Sequence, residues 1–191
     1  MSKSRLEAFS DGVIAIIITI MVLEMKVPHG ADAAALEPLI PVFLSYVLSF
    51  VFVGIYWNNH HHMLHLARTV NGRILWANLH LLFWLSLVPF TTRWLGEHGG
   101  AWPTALYGAD LLMAAVAYTI LERALIANDG PGSALAGAVR RDTKEKLSLL
   151  GYTVAIPIAF VQPRVADAIY VGIALVWLVP DRRIESRLAN G

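Results

Sequence analysis

The amino-acid sequence predicts an all-α integral membrane protein. Hydrophobic residues make up 57% of the 191 residues and charged residues only 15%, and the mean hydropathy is +0.57. A soluble domain of ordinary composition has about a quarter of its residues charged. The net charge of +1 does not favour nucleic-acid binding, and the absence of cysteine excludes disulfides, thiolate catalysis and cysteine-type zinc sites.

The first predicted helix runs from Arg5 to Val27. Its uncharged stretch, residues 12–23, would rise only about 18 Å, against roughly 30 Å of bilayer hydrocarbon. Glu7 and Asp11 interrupt the pattern of a signal peptide, so we predict a retained first span. A short apolar stretch with ionisable residues at both ends is expected inside a helical bundle, where it can border a water-filled cavity.

Further uncharged runs predict five more spans. The six spans are expected at about residues 5–27, 38–58, 70–94, 102–125, 144–162 and 165–180. The last two are shorter and contain Pro157 and Asp167, so a single bent re-entrant hairpin is the alternative. We favour two crossings, and therefore six transmembrane helices in one domain covering residues 1–191.

The positive charges orient this arrangement. With six spans, twelve of the fifteen Lys and Arg residues fall at the N-terminus, in the second and fourth loops and at the C-terminus. Because cytoplasmic loops are enriched in Lys and Arg, both termini are predicted to be cytoplasmic. The longest linker, residues 128–141, is rich in Gly, Ala and Ser, and its glycines and Pro131 argue against one continuous helix.

The first helix has two distinct faces. At 100° per residue, Ile16, Ile20, Leu23 and Val27 form one stripe with Thr19 at its border, and Asp11 points about 140° away from Ile16. The stripe is explained either by ordinary helix packing or by a position on a symmetry axis. In the second case, rings of Ile and Leu from several copies would close a pore by excluding water. Spacing alone does not choose between them.

A family resemblance is carried by short motifs in the first three spans. The pattern Arg5-x-x-x-Phe9-Ser10-Asp11 is followed by Ala15-Ile16, Thr19 and Leu23, and the match extends through Glu24, Lys26, Val27 and Pro28. Later in the chain, Trp57-x-x-His60 and Asn78 followed by Pro89-Phe90 occur in the same order. These motifs resemble the transmembrane protein 175 family of potassium channels, chiefly over residues 5–95.

The resemblance implies a particular kind of channel. Prokaryotic members have one six-span unit, which implies a homotetramer in the cell (inner or plasma) membrane with potassium as the permeant ion and no cofactor. It also implies a pore lined by the first helix, with a hydrophobic constriction at Ile16, Ile20 and Leu23. Thr19 matches a hydroxyl position near the constriction; alternatively, its hydroxyl bonds back to the Ala15 carbonyl.

The sequence has no Thr-Val-Gly-Tyr-Gly filter. We therefore expect a non-canonical channel fold without a P-loop, and only modest selectivity for potassium over sodium.

The Ser10-Asp11 pair is predicted to have a structural role. An acid away from the pore stripe must find donors within the bundle. The candidate donors are Arg5, His60, Trp57, Asn78 and His80. The expected motif network consists of seven residues, namely Arg5, Phe9, Ser10, Asp11, Trp57, His60 and Asn78. Participation of His60 would couple this network to pH near neutrality.

Two other polar features have competing explanations. His61 and His65 have the i, i+4 spacing of a metal site, but no nearby carboxylate or cysteine completes one, so a solvated or headgroup-level cluster is favoured and no metal is expected. Asp110 is a lone acid in the fourth span. It is expected to be a buried hydrogen-bonding partner rather than a proton relay.

Three alternative functions are considered beside the channel. A secondary transporter would favour internal repeats and paired broken helices, and neither is clear in the chain. A proton-leak pathway of the inner membrane is a further alternative. An enzyme would need a nucleophile with its base, or a metal with an acid, at membrane depth, and the sequence offers no such set. The expected partners are other copies of the chain, potassium ions and the lipid bilayer.

Overall fold

The described part of the chain is built from helices. A computed structural model describes residues 2–139 and 143–178. The elements are α1 Lys3–Leu23, a 3-10 helix Ala33–Leu39, α2 Ile40–Leu66, α3 Gly72–His98, α4 Ala101–Asp129, α5 Ala134–Val139, α6 Thr143–Ala159 and α7 Pro163–Leu178. No strand occurs in these residues, which confirms the all-α prediction for them.

Four helical segments are long and apolar enough to cross a membrane. They are Lys3–Leu23, Ala33–Leu66, Gly72–His98 and Ala101–Asp129. The helices α6 and α7 have 17 and 16 residues and are shorter than these four. The protein is therefore a multi-pass membrane protein, and the count of six spans stays a prediction. Residues 179–180 of the sixth predicted span and the C-terminal basic residues lie outside the described residues.

The helix ends differ from the predicted ones in both directions. The first helix ends at Leu23, so the prediction that it reaches Val27 is wrong. Pro28 disfavours the helical conformation at the residue before it, which explains why the helix does not continue to that point. By contrast, α2 extends eight residues beyond the predicted end at residue 58, because the polar residues that follow still continue the helix.

The first four helices run in alternating directions. At one end of the bundle, Lys3 Nζ at the start of α1 donates to the carbonyl of Ala67 after α2, at 2.9 Å. There the Arg68 N–H donates to Asp129 at the end of α4, at 2.7 Å. This end, with Lys3, Arg68 and the starts of α1 and α3, is termed the basic end. At the opposite end Arg93, near the end of α3, pairs with Glu24 after α1.

The helices α6 and α7 form a hairpin against α4. Residues 160–162 connect them, and Trp177 of α7 donates to Ser148 of α6 at 2.8 Å. Trp102 near the start of α4 packs on Phe160, with ring centroids 5.0 Å apart. Thr119, further along α4, donates to Glu145 in the first turn of α6. The helix α6 is therefore antiparallel to α4 and packs along the apolar segment of α4.

Two hydrophobic clusters meet at α4. One contains buried residues of α1, α2 and α3 together with the second half of α4, for example Ile14, Leu81 and Leu121. The other joins the first half of α4 to α6 and α7 through residues such as Tyr107 and Tyr170. Since α4 contributes to both clusters, it connects the first three helices to the α6–α7 hairpin.

The predicted linker is partly helical. A turn at Gly130, whose φ is +93°, ends α4, since this conformation favours glycine. The short α5 follows, and its Leu135 is buried against the first hydrophobic cluster. Residues 140–142 lie outside the described residues. The linker thus contains a break at its glycines and a short helix anchored by one leucine.

Candidate functional site

The packing face of α1 combines apolar residues with one serine. The buried residues of this helix are Leu6, Ser10, Ile14, Ile17 and Met21. Their spacing of three or four residues places them on one face, which packs mainly against α3. The side of α1 that the bundle covers is therefore the one that contains Ser10, and the long aliphatic stripe predicted from the sequence lies elsewhere.

The predicted pore stripe is exposed. Ile16 is 58% exposed, Ile20 39% and Leu23 79%, and Thr19 is also exposed. In one chain, these four residues belong to the part of α1 that the other helices leave exposed. Val27, which was expected on the same stripe, lies beyond the end of the helix.

The Thr19 hydroxyl is engaged within its own helix. It donates to the carbonyl of Ile16 at 2.9 Å, whereas the back-bonding alternative from the sequence named Ala15. A hydroxyl with its proton used in this way still has lone pairs that can accept a hydrogen bond or contact a cation. The geometry therefore makes Thr19 an acceptor on the exposed face.

A groove runs between α1 and α3 beside this stripe. Its apolar walls come from Val13, Ile16, Ile17 and Ile20 on one side and from Pro89, Phe90 and Trp94 on the other. Glu24, Arg93 and Glu97 line its mouth, at the end opposite the basic end. The predicted constriction residues Ile16 and Ile20 thus border an apolar groove with a charged rim.

The charged rim is an ion-pair cluster. Arg93 pairs with Glu24 and donates through Nε to Glu97 at 3.1 Å, and Lys26 Nζ lies 3.6 Å from Glu97. These side chains are at least a quarter exposed, so each pair contributes little to stability. Their effect is to hold the chain after α1 against the end of α3.

A buried hydrogen-bond network connects α1, α2 and α3. Asn78 Nδ2 donates to Ser10 Oγ at 3.0 Å, and the Ser10 hydroxyl donates to the Leu6 carbonyl at 2.9 Å. The Asn78 Oδ1 atom is 2.7 Å from His60 Nε2. Since an amide oxygen only accepts, His60 carries its proton on Nε2. All three side chains are at most 1% exposed.

Asp11 belongs to a separate contact. Trp57 Nε1 donates to Asp11 Oδ1 at 3.0 Å, and both side chains are exposed. Arg5 and Phe9 are also exposed. The seven motif residues expected to form one network therefore divide into the buried set Ser10–Asn78–His60, the exposed pair Asp11–Trp57, and two surface residues. The family resemblance and the composition selected these residues. Neither of them specifies which donor faces which acceptor.

The other histidines point away from this network. His61 stacks between Trp57 and His65, with ring centroids 6.3 Å from each. His80 accepts from Trp84 Nε1 at 2.9 Å, and the donor to Asp11 is Trp57 rather than His80. Within residues 2–139 and 143–178, no three His, Asp or Glu side chains are grouped as a metal site.

A second polar region surrounds Asp110, deep in the bundle. Thr91 of α3 donates to Asp110 Oδ2 at 2.9 Å, as expected for a buried hydrogen-bonding acid. Nearby, the Ser49 hydroxyl contacts Tyr107 at 2.9 Å and accepts from Thr92 at 2.6 Å. Sequence reasoning missed the Ser49–Tyr107–Thr92 contacts. Their only signal was the presence of hydroxyl residues inside three different uncharged runs.

Comparison with known proteins identifies relatives of this chain. Residues 5–89 match the model of the family described as "Endosomal/lysosomal potassium channel TMEM175". A protein named as a potassium channel in Chryseobacterium sp. (strain P1-3) is 54% identical over 189 residues, covering 98% of each chain. The human "Endosomal/lysosomal proton channel TMEM175" is 38% identical over 96 residues, which are 44% of this chain and 19% of the human protein.

A solved structure has the same fold. The crystal structure of a lysosomal potassium-selective channel TMEM175 homolog from Chamaesiphon minutus superposes with a TM-score of 0.80 at 25% identity. It covers 93% of this chain and 96% of that chain. The fold and these relatives place the protein among multi-pass helical ion channels, a non-enzymatic class. The chain belongs to the TMEM175 family.

Proposed function

We propose that this protein is a potassium-preferring channel assembled from four copies, with α1 of each copy facing a central pore. Ile16, Ile20 and Leu23 would form rings that close the pore by excluding water, and Thr19 would present acceptor lone pairs beside them. The observation that carries the proposal is the uncovered stripe of α1, which is apolar and continuous over the same residues that the family resemblance selects.

The packing of α1 supports a role for this stripe beyond the subunit core. The subunit is held together through the opposite face, where Ser10 and the apolar residues around it are buried. The remaining face is thus available for contact with other copies and with permeating ions. The relative from Chryseobacterium, which matches the chain along nearly its whole length, is named as a potassium channel.

Six crossings are also part of this proposal. The contacts Trp102–Phe160 and Thr119–Glu145 place the two ends of α6 beside residues 17 positions apart on α4. This separation corresponds to about 26 Å along a helix, close to the roughly 30 Å of hydrocarbon. The helices α6 and α7, with 17 and 16 residues, are close to the lower limit for crossing, and we infer that each crosses once, so that both termini are cytoplasmic.

The test is ion flux in liposomes that contain the purified protein. Potassium and sodium fluxes are compared for the wild type and for Ile16→Asn, with oligomer mass measured by light scattering. Asparagine would admit water at the constriction, so potassium flux is expected to rise several-fold in the variant. Potassium flux is expected to exceed sodium flux only modestly in the wild type.

A matched control separates a gate from general damage. Leu150 of α6 is 62% exposed, similar to Ile16, but lies on a different helix. Leu150→Asn should leave the potassium flux of the wild type unchanged. If folded, tetrameric protein shows no flux as wild type or as Ile16→Asn, the channel proposal is wrong. An equal increase in potassium flux with Leu150→Asn would show that the effect is not specific to the Ile16 stripe, so the gate would not lie there.

Proton permeation is the second candidate activity. The animal relatives, including the human one, are named as proton channels. The same liposomes loaded with a pH-sensitive dye therefore test whether a proton gradient dissipates through the wild type. Proton flux that increases with Ile16→Asn in parallel with potassium flux would assign both ions to the same pore.

A further inference from the structure

A second groove lies on the outside of the bundle, between α3 and α4 near the basic end. It is lined by Arg73, Trp76, Ala77 and His80 of α3 and by Ile120, Arg123, Ala124 and Ala127 of α4. We term it the arginine groove. Alanine side chains on both helices form its floor, so the depression between the helices remains open.

Within residues 2–139 and 143–178, the two arginines of this groove have no counter-ion. Arg73 and Arg123 are exposed, and neither makes a salt bridge or side-chain hydrogen bond with another residue in the described ranges. No acid of the described residues lines the groove, and Glu122, the neighbour of Arg123, is only 7% exposed. Two unpaired guanidinium groups facing one groove are suited to binding a phosphate.

Two further donors border the same groove. His80 Nε2 accepts from Trp84, so a neutral His80 carries its proton on Nδ1, which is its one hydrogen-bond donor. Trp76 is 75% exposed near the start of α3. Its indole combines an apolar ring with one N–H donor, as is common for tryptophans at the membrane interface. The polar groups of the groove are therefore all donors or cations.

The groove changes from charged to apolar along its length. Arg73 is in the first turn of α3, and His80 is seven residues further, about 10 Å along the helix axis. On α4, Ile120 lies one turn deeper in the bundle than Arg123 and is 43% exposed. A cationic mouth above an apolar floor matches the headgroup and the upper acyl chain of a lipid.

We propose that the arginine groove binds one anionic phospholipid. The phosphate contacts Arg73 and Arg123, and an acyl chain packs over Ala77, Ala124 and Ile120. Charge complementarity commits the site to a phosphate-bearing lipid, since basic pockets between helices near the cytoplasmic membrane surface bind such headgroups. A free phosphate ion shares the headgroup chemistry but has no acyl chain for the apolar part of the groove.

The experiment is native mass spectrometry of the intact purified protein with dioleoyl phosphatidylglycerol or dioleoyl phosphatidylcholine added. The wild type is expected to retain phosphatidylglycerol in preference to phosphatidylcholine. Arg73→Gln together with Arg123→Gln is expected to lower phosphatidylglycerol affinity about tenfold or more. The double replacement by lysine keeps the charge but not the paired donors of each guanidinium, so it should recover part of the affinity.

Controls keep the result specific. Arg164 is an exposed arginine at the start of α7, at the end opposite the basic end, and Arg164→Gln should retain the lipid as the wild type does. Unfolding temperatures in phosphatidylcholine verify that each variant is folded. If the double variant is not folded, lipid binding is measured with the single variants Arg73→Gln and Arg123→Gln instead.

Three results would overturn the proposal. Equal retention of phosphatidylglycerol by the glutamine variants would show that the arginines do not bind it. No preference over phosphatidylcholine in the wild type would exclude recognition of the anionic headgroup. Stabilisation by inorganic phosphate equal to that by phosphatidylglycerol, measured by thermal unfolding, would make the site one for a free anion.

Discussion

Asn78 connects three helices through a single side chain. Its amide donates to Ser10 of α1 and accepts from His60 of α2, and all three residues are buried. A buried polar group that loses its partner keeps the full cost of desolvation. Asn78 therefore stabilises the position of the predicted pore helix relative to its neighbours without facing the pore stripe.

Replacing Asn78 by alanine should destabilise the protein. The change leaves the His60 N–H and the Ser10 oxygen without their partner, at a cost of about 1–3 kcal/mol in the free energy of unfolding. For a chain of this size, that corresponds to a fall of about 2–12 °C in unfolding temperature. Thermal unfolding of the detergent-solubilised variant beside the wild type measures this fall in unfolding temperature.

Asn58→Ala is the matched control, because Asn58 is an exposed asparagine on α2. It should change the unfolding free energy by less than about 0.5 kcal/mol. Asp11→Ala should also cost less than Asn78→Ala, since the Trp57–Asp11 bond is exposed. A loss for Asp11→Ala equal to that for Asn78→Ala would contradict the division into a buried network and an exposed pair.

The sequence identified these residues but not their partners. Ser10, His60 and Asn78 were selected as a group by the family resemblance. Asp11 had five candidate donors, and the structure assigns Trp57. Helical spacing specifies the direction of a side chain on its own helix, but the partner depends on how two helices are rotated against each other, which no local pattern contains.

At the scale of helices, the contact between α4 and α7 depends on a glycine. A Cβ atom built on Gly108 would lie 2.0 Å from the hydroxyl oxygen of Tyr170 and 2.7 Å from its ring carbon Cζ. The Tyr170 hydroxyl donates to the Thr104 carbonyl at 3.1 Å. Gly108 thus provides the space in which this buried tyrosine reaches its acceptor.

Gly108→Ala should therefore destabilise the packing of α7. Tyr170 would have to move and lose its bond to Thr104, and overpacking of this kind costs about 1–3 kcal/mol. The expected result is a lower unfolding temperature and faster proteolysis of the α6–α7 hairpin. Limited proteolysis with peptide mapping locates the opened segment.

Gly172→Ala, on α7, is expected to have the opposite effect on stability. A Cβ atom at Gly172 would meet nothing within 4 Å, and alanine is favoured over glycine in a helix by about 1 kcal/mol. This variant should be neutral or stabilised. Equal destabilisation by Gly108→Ala and Gly172→Ala would mean that the effect is not caused by the contact with Tyr170.

Helix existence was more predictable than helix ends. Each uncharged run of the sequence became a helix, because runs of apolar residues without internal charge satisfy their backbone groups best in that form. The extension of α2 through the histidines to Leu66 was not expected. There the buried His60 and Met63 keep an inward-facing surface on the helix after the apolar run ends.

At the scale of the whole molecule, the alternation of helix direction separates the ends of the bundle. Lys3 and Arg68 lie at the basic end, and Arg93 lies at the other end with Lys26. The turn between α6 and α7, residues 160–162, lies at that second end because Phe160 packs on Trp102. If α6 and α7 each cross the membrane once, this turn is expected to lie in the outer solution.

Single-cysteine labelling tests this topology directly, because the natural chain contains no cysteine. With six spans, Gln162→Cys in intact cells should react with a membrane-impermeant maleimide. Gly132→Cys, in the segment after α4, should react only after permeabilisation. His29→Cys serves as the outer reference, and the unmodified chain defines the background.

A different pattern would favour the alternative topology. In a re-entrant hairpin the turn at Gln162 would be inside the bilayer, so the cysteine there would resist labelling on intact cells while His29→Cys still reacts. Labelling of Gly132→Cys without permeabilisation would reverse the predicted orientation. The charge pattern predicts the orientation; hydropathy could not decide between hairpin and crossing, because α6 and α7 are near the minimum length to span.

The exposed stripe of α1 has a consequence for biogenesis. All buried polar contacts of this helix are made inside its own subunit, and the uncovered stripe is apolar except for the internally bonded Thr19. A newly inserted, unassembled copy can therefore rest with that stripe against lipid chains, with no polar group left in need of a partner. Under the proposed assembly, such a single copy would offer no wet path across the membrane, so single subunits could accumulate before assembly without dissipating ion gradients.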